Sequence, residues 1–165
     1  MNYLTKTSLS CLLATLFLLP LLRANDTTIL RDEGGDILRA TKKLPSGDTV
    51  IVHKNDGEPE SIGSYSVRLY GSQYTPPPVG SFMDDFLDGI IRPRDGSIIK
   101  VVLVDLYGDR KLELVVVTEC VGTGSFHSAD AFFVDQHKLK FLTSVGGLEK
   151  HVNPIAELRN KIRVH

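Results

Sequence analysis

The residues from Leu112 to Phe133 constrain the fold more than any other part of the chain. They begin with a run rich in β-branched side chains, Leu114 to Val117, which pack well on a pleated sheet. Small and hydroxylated residues follow from Gly122 to Ser128, around one aromatic ring, and an apolar segment resumes at Ala129. The pattern predicts two strands joined by a loop longer than a tight two-residue turn. Loops held by a rigid sheet often carry binding function, so this loop is the first candidate site. The alternative is that its glycines only supply positive φ at a wide bend.

The rest of the chain alternates short apolar segments with turn signals. Strands are predicted over Leu38–Leu44, Thr49–His53, Ser64–Tyr70, Ile98–Leu106 and Lys138–Leu142. Met83–Arg92 is ambiguous: its first half fits a helical turn, and its second half is predicted to be a strand. Asn153 followed by Pro154 predicts the start of an amphipathic helix that runs to Arg163. Many strands and one late helix predict a mainly β fold, an antiparallel β-sandwich or flattened barrel with one short C-terminal helix.

Three segments carry further structural expectations. Residues 25–37 are polar with two glycines and are expected to form a loose N-terminal arm. The segment Gly71–Phe82 contains three consecutive prolines, which cannot donate the hydrogen bonds of a central strand, and it predicts an extended surface connection. The hairpin Ile98–Val121 is long and apolar, so we expect it at the centre of the sheet, buried on both faces or in a contact between subunits.

The amino terminus has the features of a secretory signal peptide. The leucine-rich segment Leu9–Leu22 is shorter than the ~20 apolar residues that a bilayer span requires, and Ala24 offers a small residue for cleavage. We therefore predict removal of residues 1–24 and one exported domain over residues 25–165. Cys11 lacks the surroundings of a lipid-attachment site, so no stable membrane association is expected.

Charge and cysteine content restrict the possible partners. Two of the 19 basic residues and none of the 20 acidic residues fall within residues 1–24, so the mature chain has a net charge of −3. No basic stripe stands out, and a nucleic-acid partner is therefore not expected. The mature chain keeps one cysteine, Cys120, which cannot form an internal disulfide. We expect it to be a buried, inert thiol within a strand.

One acidic segment is a weak candidate for a cation site. Asp105, Asp109 and Glu113 place carboxylates at intervals that can ligate calcium. Tyr107 and Arg110 stand where a calcium loop would need an oxygen ligand and a glycine. A plain turn is therefore the favoured interpretation, and no metal or other cofactor is predicted.

A hydrolase triad is a second weak candidate. Ser125, His127 and Asp130 lie within six residues of each other, whereas triads are assembled from distant segments around an oxyanion hole. Three other histidines have no ligand spacing: His53, His137 and His151. An enzyme is therefore not expected.

Three motifs, in this order, resemble those of the periplasmic inhibitors of invertebrate-type (I-type) lysozyme. They are SIGSYSVRLY at Ser61–Tyr70, IIRPRDG at Ile90–Gly96 and VGTGSFHSADAF at Val121–Phe132. The similarity extends over about residues 40–160. It implies an antiparallel β-sandwich, export to the periplasm and a homodimer. It also implies that a loop between two strands enters the substrate cleft of the lysozyme.

The resemblance assigns a role to the loop itself. The family's inhibitory loop reads Ser-Gly-x-Tyr, then an aliphatic residue and Ser-Ala-Asp-Ala-Phe. Thr123 keeps the hydroxyl, Phe126 keeps the ring without its phenolic oxygen, and His127 replaces the aliphatic residue. The implied lysozyme-binding residues are Thr123, Gly124, Ser125, Phe126, His127 and Ser128. The alternative is a non-inhibitory periplasmic binding or structural module on the same sandwich.

Overall fold

The computed structural model describes residues 27–75 and 85–164 of the chain. Within these ranges the strands are β1 (Thr27–Arg31), β2 (Ile37–Lys43), β3 (Thr49–Lys54), β4 (Ile62–Tyr70), β5 (Phe86–Asp95), β6 (Ser97–Val104), β7 (Glu113–Glu119), β8 (His127–Asp135) and β9 (Lys138–Leu148), and the helix is α1 (Pro154–Arg163). The predicted signal peptide and the connection through the three prolines lie outside the described residues. Across the described ranges, no helix has the length and hydropathy needed to cross a membrane.

The strands form two antiparallel sheets that share one core. The first sheet has the order β1-β2-β3-β4-β5 and the second has the order β6-β7-β8-β9. The chain passes from one sheet to the other at Gly96, whose φ of +90° lies in the left-handed region that glycine tolerates best. The predicted antiparallel β-sandwich with one short C-terminal helix is confirmed.

The core between the sheets follows the two-residue period of the strands. Tyr65, Val67 and Leu69 of β4 are each at most 1% exposed, and they belong to the same buried cluster as Leu114 and Val116 of β7. Burial of alternate apolar side chains from both sheets stabilises the sandwich through the hydrophobic effect.

The helix α1 explains why β7 is apolar on both faces. Val115 and Val117 point away from the inter-sheet core and pack in a second cluster with Leu158, Ile155 and Ile162 of α1. Both faces of β7 are therefore buried, as expected, although on the second face the helix supplies the cover. The expected central position of the hairpin is wrong for its first strand, because β6 is the edge of the second sheet and the central pair is β7 and β8.

The expected loose N-terminal arm is also wrong. Thr27–Arg31 forms β1 and pairs in antiparallel register with β2. All five of its residues are exposed, so backbone hydrogen bonds hold this strand and apolar burial contributes little. A strand without a buried face has no period-two burial pattern that a sequence could reveal.

Two smaller expectations also need correction. Phe86 and Leu87 belong to β5 and do not form a helical turn, because their backbone pairs with β4 and the Phe86 ring meets Tyr70 edge-on at 5.8 Å. Cys120 lies just after β7 and is only half-buried, so it is neither within a strand nor fully enclosed. Its sulfur accepts the Gly122 N–H at 3.4 Å.

Candidate functional site

The candidate loop runs from Cys120 to Phe126 and connects β7 to β8. Glu119 pairs with His127 across the hairpin, and the Cys120 N–H donates to the Phe126 carbonyl at 2.9 Å. Inside the loop, the Ser125 N–H donates to the Gly122 carbonyl at 3.1 Å. These bonds close the loop at its base and bend it at its tip, so it projects from the end of the sandwich with a defined backbone course.

The exposed side chains of the loop are those that a partner would contact. Phe126 is 45% exposed, and its ring lies over Gly124, where a Cβ atom would come within 2.3 Å of the ring. Thr123 is exposed beside it. Val121 is 56% exposed and adds an apolar side chain that the sequence reasoning did not single out. The loop therefore presents a hydroxyl, an aromatic ring and an aliphatic group.

Ser125 and His127 face the base of the loop instead. Ser125 is half-buried and, together with Glu119, lines a cleft at the base of the loop. His127 Nε2 lies 3.5 Å from Glu119 Oε2 without forming a hydrogen bond, and Lys150 Nζ lies 3.5 Å from Glu119 Oε1. Partial burial raises the pKa of Glu119, but the Ser125 hydroxyl and the nearby cations outweigh it, so the pKa lies below its ordinary value.

Ser128 and Asp130 belong to β8 and not to the loop. Ser128 is half-buried, with its Oγ near Gly146 of β9. Asp130 accepts a hydrogen bond from the Tyr65 hydroxyl at 2.6 Å and from Arg92 Nε at 3.0 Å. Because Asp130 is bound by these two residues, Ser125, His127 and Asp130 do not assemble into a triad.

The bonds of Asp130 join the three sequence motifs. Tyr65 belongs to the first motif, Arg92 to the second and Asp130 to the third, and together they connect β4 and β5 with β8. The Arg92 guanidinium also lies 3.9 Å from the centre of the Phe141 ring. Burial and the neighbouring carboxylate raise the pKa of Tyr65, and the hydrogen bond to Asp130 raises that of Arg92. The motifs thus build the scaffold behind the loop.

The second motif also supports the start of the loop. A Cβ atom on Gly96 would lie 1.9 Å from the Glu119 carbonyl oxygen, so only glycine permits this close backbone contact. Arg94 is 3% exposed and donates to the carbonyls of Pro59, Glu60 and Gly96. These contacts fix the backbone at the end of the sandwich from which the loop projects.

The acidic segment after β6 forms a turn. The Asp105 carboxylate accepts the backbone N–H of Asp109 at 3.2 Å and of Arg110 at 2.8 Å, and Glu113 accepts that of Leu106 at 2.8 Å. The carboxylates of Asp105 and Glu113 are thus bound by backbone N–H groups. In the part of the chain that the structure describes, no group of three metal-binding side chains converges.

Comparisons with known proteins agree with this geometry. Residues 38–162 match the family model described as periplasmic lysozyme inhibitor of I-type lysozyme. The crystal structure of such an inhibitor from Aeromonas hydrophila is 44% identical, with a TM-score of 0.64, and the match covers 72% of this chain and 96% of that one. The Aeromonas hydrophila inhibitor in complex with Meretrix lusoria lysozyme is 43% identical, with a TM-score of 0.64, covering 73% of this chain and 94% of that one. A comparison with curated proteins gave no match.

These matches confirm several predictions made from the sequence. They establish the resemblance carried by the three motifs, the periplasmic location and the class of protein, which is an inhibitor and not an enzyme. The family match spans both sheets from β2 onward and nearly all of α1. The chain belongs to the family of periplasmic inhibitors of I-type lysozyme.

Proposed function

We propose that the protein inhibits I-type lysozyme by inserting the Thr123–Phe126 loop into the active-site cleft of the enzyme. The observation that carries this proposal is the exposed Phe126 ring, held over Gly124 beside the exposed hydroxyl of Thr123. A relative that is 43% identical has been solved in complex with a lysozyme, which supports a lysozyme as the partner of this chain.

The loop has the chemistry that a lysozyme cleft requires of a plug. Glycosidases of this kind place a carboxylic acid and a carboxylate on either side of the scissile bond. The Thr123 hydroxyl can donate to one of these groups, while Phe126 fills a sugar subsite as a central aromatic anchor. Gly124 keeps the loop thin enough for the backbone to approach. Because the ring already rests on Gly124, binding loses less side-chain entropy.

The six residues assigned by resemblance divide into two roles. Thr123, Gly124 and Phe126 form the proposed contact surface, since all three are exposed. Ser125 and His127 are half-buried at the base of the loop near Glu119, and Ser128 lies in β8, so these residues support the loop from behind. Val121 is added to the contact surface because its side chain is exposed on the same loop.

The test is inhibition of an I-type lysozyme by single variants. Thr123→Ala removes a hydrogen bond to a charged group, worth about 1.5–3 kcal/mol, so the inhibition constant should rise at least about tenfold. Phe126→Ala should cost about 2 kcal/mol or more, as central aromatic anchors do. Tyr107→Ala is the matched control, because Tyr107 is 54% exposed on the β6–β7 turn, away from the loop.

The outcomes separate the alternatives. If Thr123→Ala and Phe126→Ala inhibit like the parent, this loop is not the inhibitory element. If the parent inhibits no I-type lysozyme, the alternative of a non-inhibitory periplasmic module replaces the proposal. Each variant is first shown to have the melting temperature of the parent, so that loss of inhibition is not loss of folding.

We also propose a homodimer with a sheet-based contact, as the family resemblance implies. The edge strand β1 supports it, because Ile29 and Leu30 are 39% and 56% exposed and, among the residues that the structure describes, β1 pairs with another strand on one side only. Light scattering of the mature protein should give twice the monomer mass at micromolar concentration, and Cys120→Ser should leave this mass unchanged. A monomer mass contradicts the dimer.

Export with removal of residues 1–24 completes the proposal. The apolar segment Leu9–Leu22 and the small residue Ala24 support it. The periplasmic protein should begin near Asn25 when its amino terminus is sequenced. An uncleaved chain recovered with the inner membrane would contradict cleavage.

A further inference from the structure

A cleft of about 440 Å³ opens at the end of the sandwich opposite the proposed inhibitory loop. Its walls come from the β2–β3, β6–β7 and β8–β9 turns and the strand residues beside them, so we call it the turn cleft. The nine residues of β8 separate it from the loop by about 27 Å, at roughly 3.4 Å per residue. Small-molecule sites have volumes of about 300–1,000 Å³, so the turn cleft is large enough for a ligand of its own.

One buried carboxylate joins the walls of the turn cleft. The side chain of Asp48, in the β2–β3 turn, is 4% exposed, and its Oδ2 lies 3.1 Å from Nδ1 of His137 in the β8–β9 turn. The Ser46 hydroxyl donates to the same oxygen at 3.1 Å. Because Asp48 follows a strand of the first sheet and His137 follows a strand of the second, this contact fixes the two sides of the cleft relative to each other.

Three residues that line the turn cleft have backbone conformations that are unfavourable for them. Arg110, Gln136 and His137 have φ angles of +70°, +48° and +61°, in the left-handed region. Gln136 and His137 are the two central residues of the β8–β9 hairpin, where positive φ at both positions favours Asn-Gly. Glycine at any of these positions would relieve the strain but would remove a side chain from the cleft. Strained residues cluster at binding sites, so their retention here indicates that the side chains are used.

The turn cleft combines apolar walls with a cationic rim. Leu44 is 8% exposed, and Leu112 and Phe133 are half-buried along its walls. Arg110 and Lys111 are exposed at its rim. Within the described ranges, no ion pair includes either of these two cations. Apolar walls with a few charged groups are the composition of small-molecule sites.

The carboxylates near the turn cleft already have partners. Asp48 is bound by His137 inside the wall. The Asp109 carboxylate accepts a backbone N–H at 2.9 Å, and Asp135 pairs with Lys140 at 3.3 Å. The charge of the rim is therefore positive, although the whole chain has a net charge of −1. A ligand of complementary charge is an anion.

We propose that the turn cleft binds a small amphipathic carboxylate, with its apolar part against Leu112 and Phe133 and its carboxylate beside Arg110 and Lys111. A guanidinium can donate two parallel hydrogen bonds to a carboxylate, and the lysine adds a second positive charge. Burial of the apolar part against the walls supplies the remaining affinity. This site goes beyond the proposed inhibition and does not depend on it, because none of its residues belongs to the loop.

Titration of the mature protein with octanoate, followed through its backbone amide resonances, tests the proposal. Octanoate should bind saturably with a dissociation constant on the order of 1 mM. It should shift the amides of Lys111, Gln136 and His137 and leave those of Gly124 and Phe126 unchanged. Octylamine has the same chain with the opposite charge, and acetate has the carboxylate without the chain, so both should bind at least about tenfold more weakly.

Variants of the rim test the role of its charge. Arg110→Gln combined with Lys111→Gln removes both charges from exposed positions and should weaken octanoate binding roughly three- to thirtyfold, with an unchanged melting temperature. Arg110→Lys keeps the charge and should keep most of the affinity. Lys100→Gln is the matched control, because Lys100 is exposed on β6 and does not line the cleft.

The outcomes are independent of lysozyme. Absence of saturable octanoate binding at millimolar concentration overturns the site. Equal binding of octylamine, or unchanged binding by the double rim variant, overturns the assignment of an anionic ligand. Shifts confined to amides outside the turn cleft overturn its location. Phe126→Ala should bind octanoate like the parent, and the double rim variant should inhibit lysozyme like the parent, so failure of one proposal leaves the other standing.

Discussion

Substitution of Asp130 by alanine should weaken the sandwich without altering the surface proposed to contact lysozyme. The carboxylate accepts the Tyr65 hydroxyl at 2.6 Å, Arg92 Nε at 3.0 Å and Arg92 Nη2 at 3.4 Å. Tyr65 is 1% exposed, and Asp130 is the acceptor that its buried hydroxyl has in the structure. The Arg92 and Asp130 side chains are 26% and 14% exposed, so solvent partly screens the pair that they form.

The expected loss follows from these burials. Losing the hydrogen bond from the buried phenol to a charged acceptor costs about 1.5–3 kcal/mol. Losing the ion pair adds roughly 1 kcal/mol to this cost, a value between those of exposed and fully buried pairs. The value is low because Arg92 stays partly solvated and keeps its contact with the Phe141 ring. The free energy of unfolding should therefore fall by about 2.5–4 kcal/mol, which lowers the melting temperature by about 5–16 °C for a chain of this size.

A thermal melt together with an inhibition assay well below the melting temperature tests this reasoning. Asp130→Ala should melt earlier yet inhibit like the parent when folded. Tyr65→Phe should destabilise the parent but have almost no effect in the Asp130→Ala background, because the hydroxyl has already lost its acceptor. Asp135→Ala is the matched control on β8, since its pair with Lys140 is exposed on both sides. A parent-like melt of Asp130→Ala refutes the argument, and lost inhibition with an unchanged melt would make Asp130 a lysozyme contact.

Three further substitutions probe the support of the fold. Gly96→Ala should cost about 2–5 kcal/mol, from strain at positive φ and from the clash with the Glu119 carbonyl, and should weaken inhibition, as melting and inhibition assays will show. Asn153→Ala removes the N-cap of α1 and should cost about 1 kcal/mol in a denaturant titration. Asp88 accepts the Leu139 N–H at 3.0 Å. This bond, and after it the bond from the Gly89 N–H, lower the pKa of Asp88 from the usual 3.8. Its contribution to stability is therefore present above about pH 5 and is lost as the pH falls through the lowered pKa, so the difference in stability from Asp88→Asn should vanish in acid.

Local periodicity accounts for most of the predictions that the structure confirms. The strand predicted over Ser64–Tyr70 forms within β4, where Tyr65, Val67 and Leu69 are buried at alternate positions. The pair Asn153 and Pro154 correctly placed the start of the helix, because a cap is a feature of neighbouring residues. Signals of this kind depend only on the conformation of a short segment, and they are therefore visible in a single sequence.

The order of the strands was less accessible, because it depends on pairing between distant segments. The long apolar hairpin was expected to be central, but β6 lies at an edge and α1 covers β7. The contacts of Glu119 were also missed, since they depend on the register that places this residue opposite His127 and on Lys150, which lies 31 positions further along the chain. The one available signal in the sequence would have been the register of the β7–β8 hairpin, which closes between Cys120 and Phe126 and so places Glu119 opposite His127.

The substitution Phe126→Tyr tests the proposed contact of the loop with lysozyme without changing the sandwich that supports the loop. In the sandwich, Tyr65 and Arg92 both donate hydrogen bonds to Asp130. Phe126 is instead 45% exposed, and its ring contacts Gly124 of the same loop. A hydroxyl added to this ring should leave the melting temperature unchanged, so a change in inhibition reports on the cleft of the enzyme. A polar partner in the subsite should improve the inhibition constant by about 0.5–1.5 kcal/mol, and an apolar subsite should weaken it. Tyr107→Phe, the reverse change on the β6–β7 turn, should have no effect. If Phe126→Tyr and Phe126→Ala both inhibit like the parent, the ring is not the anchor.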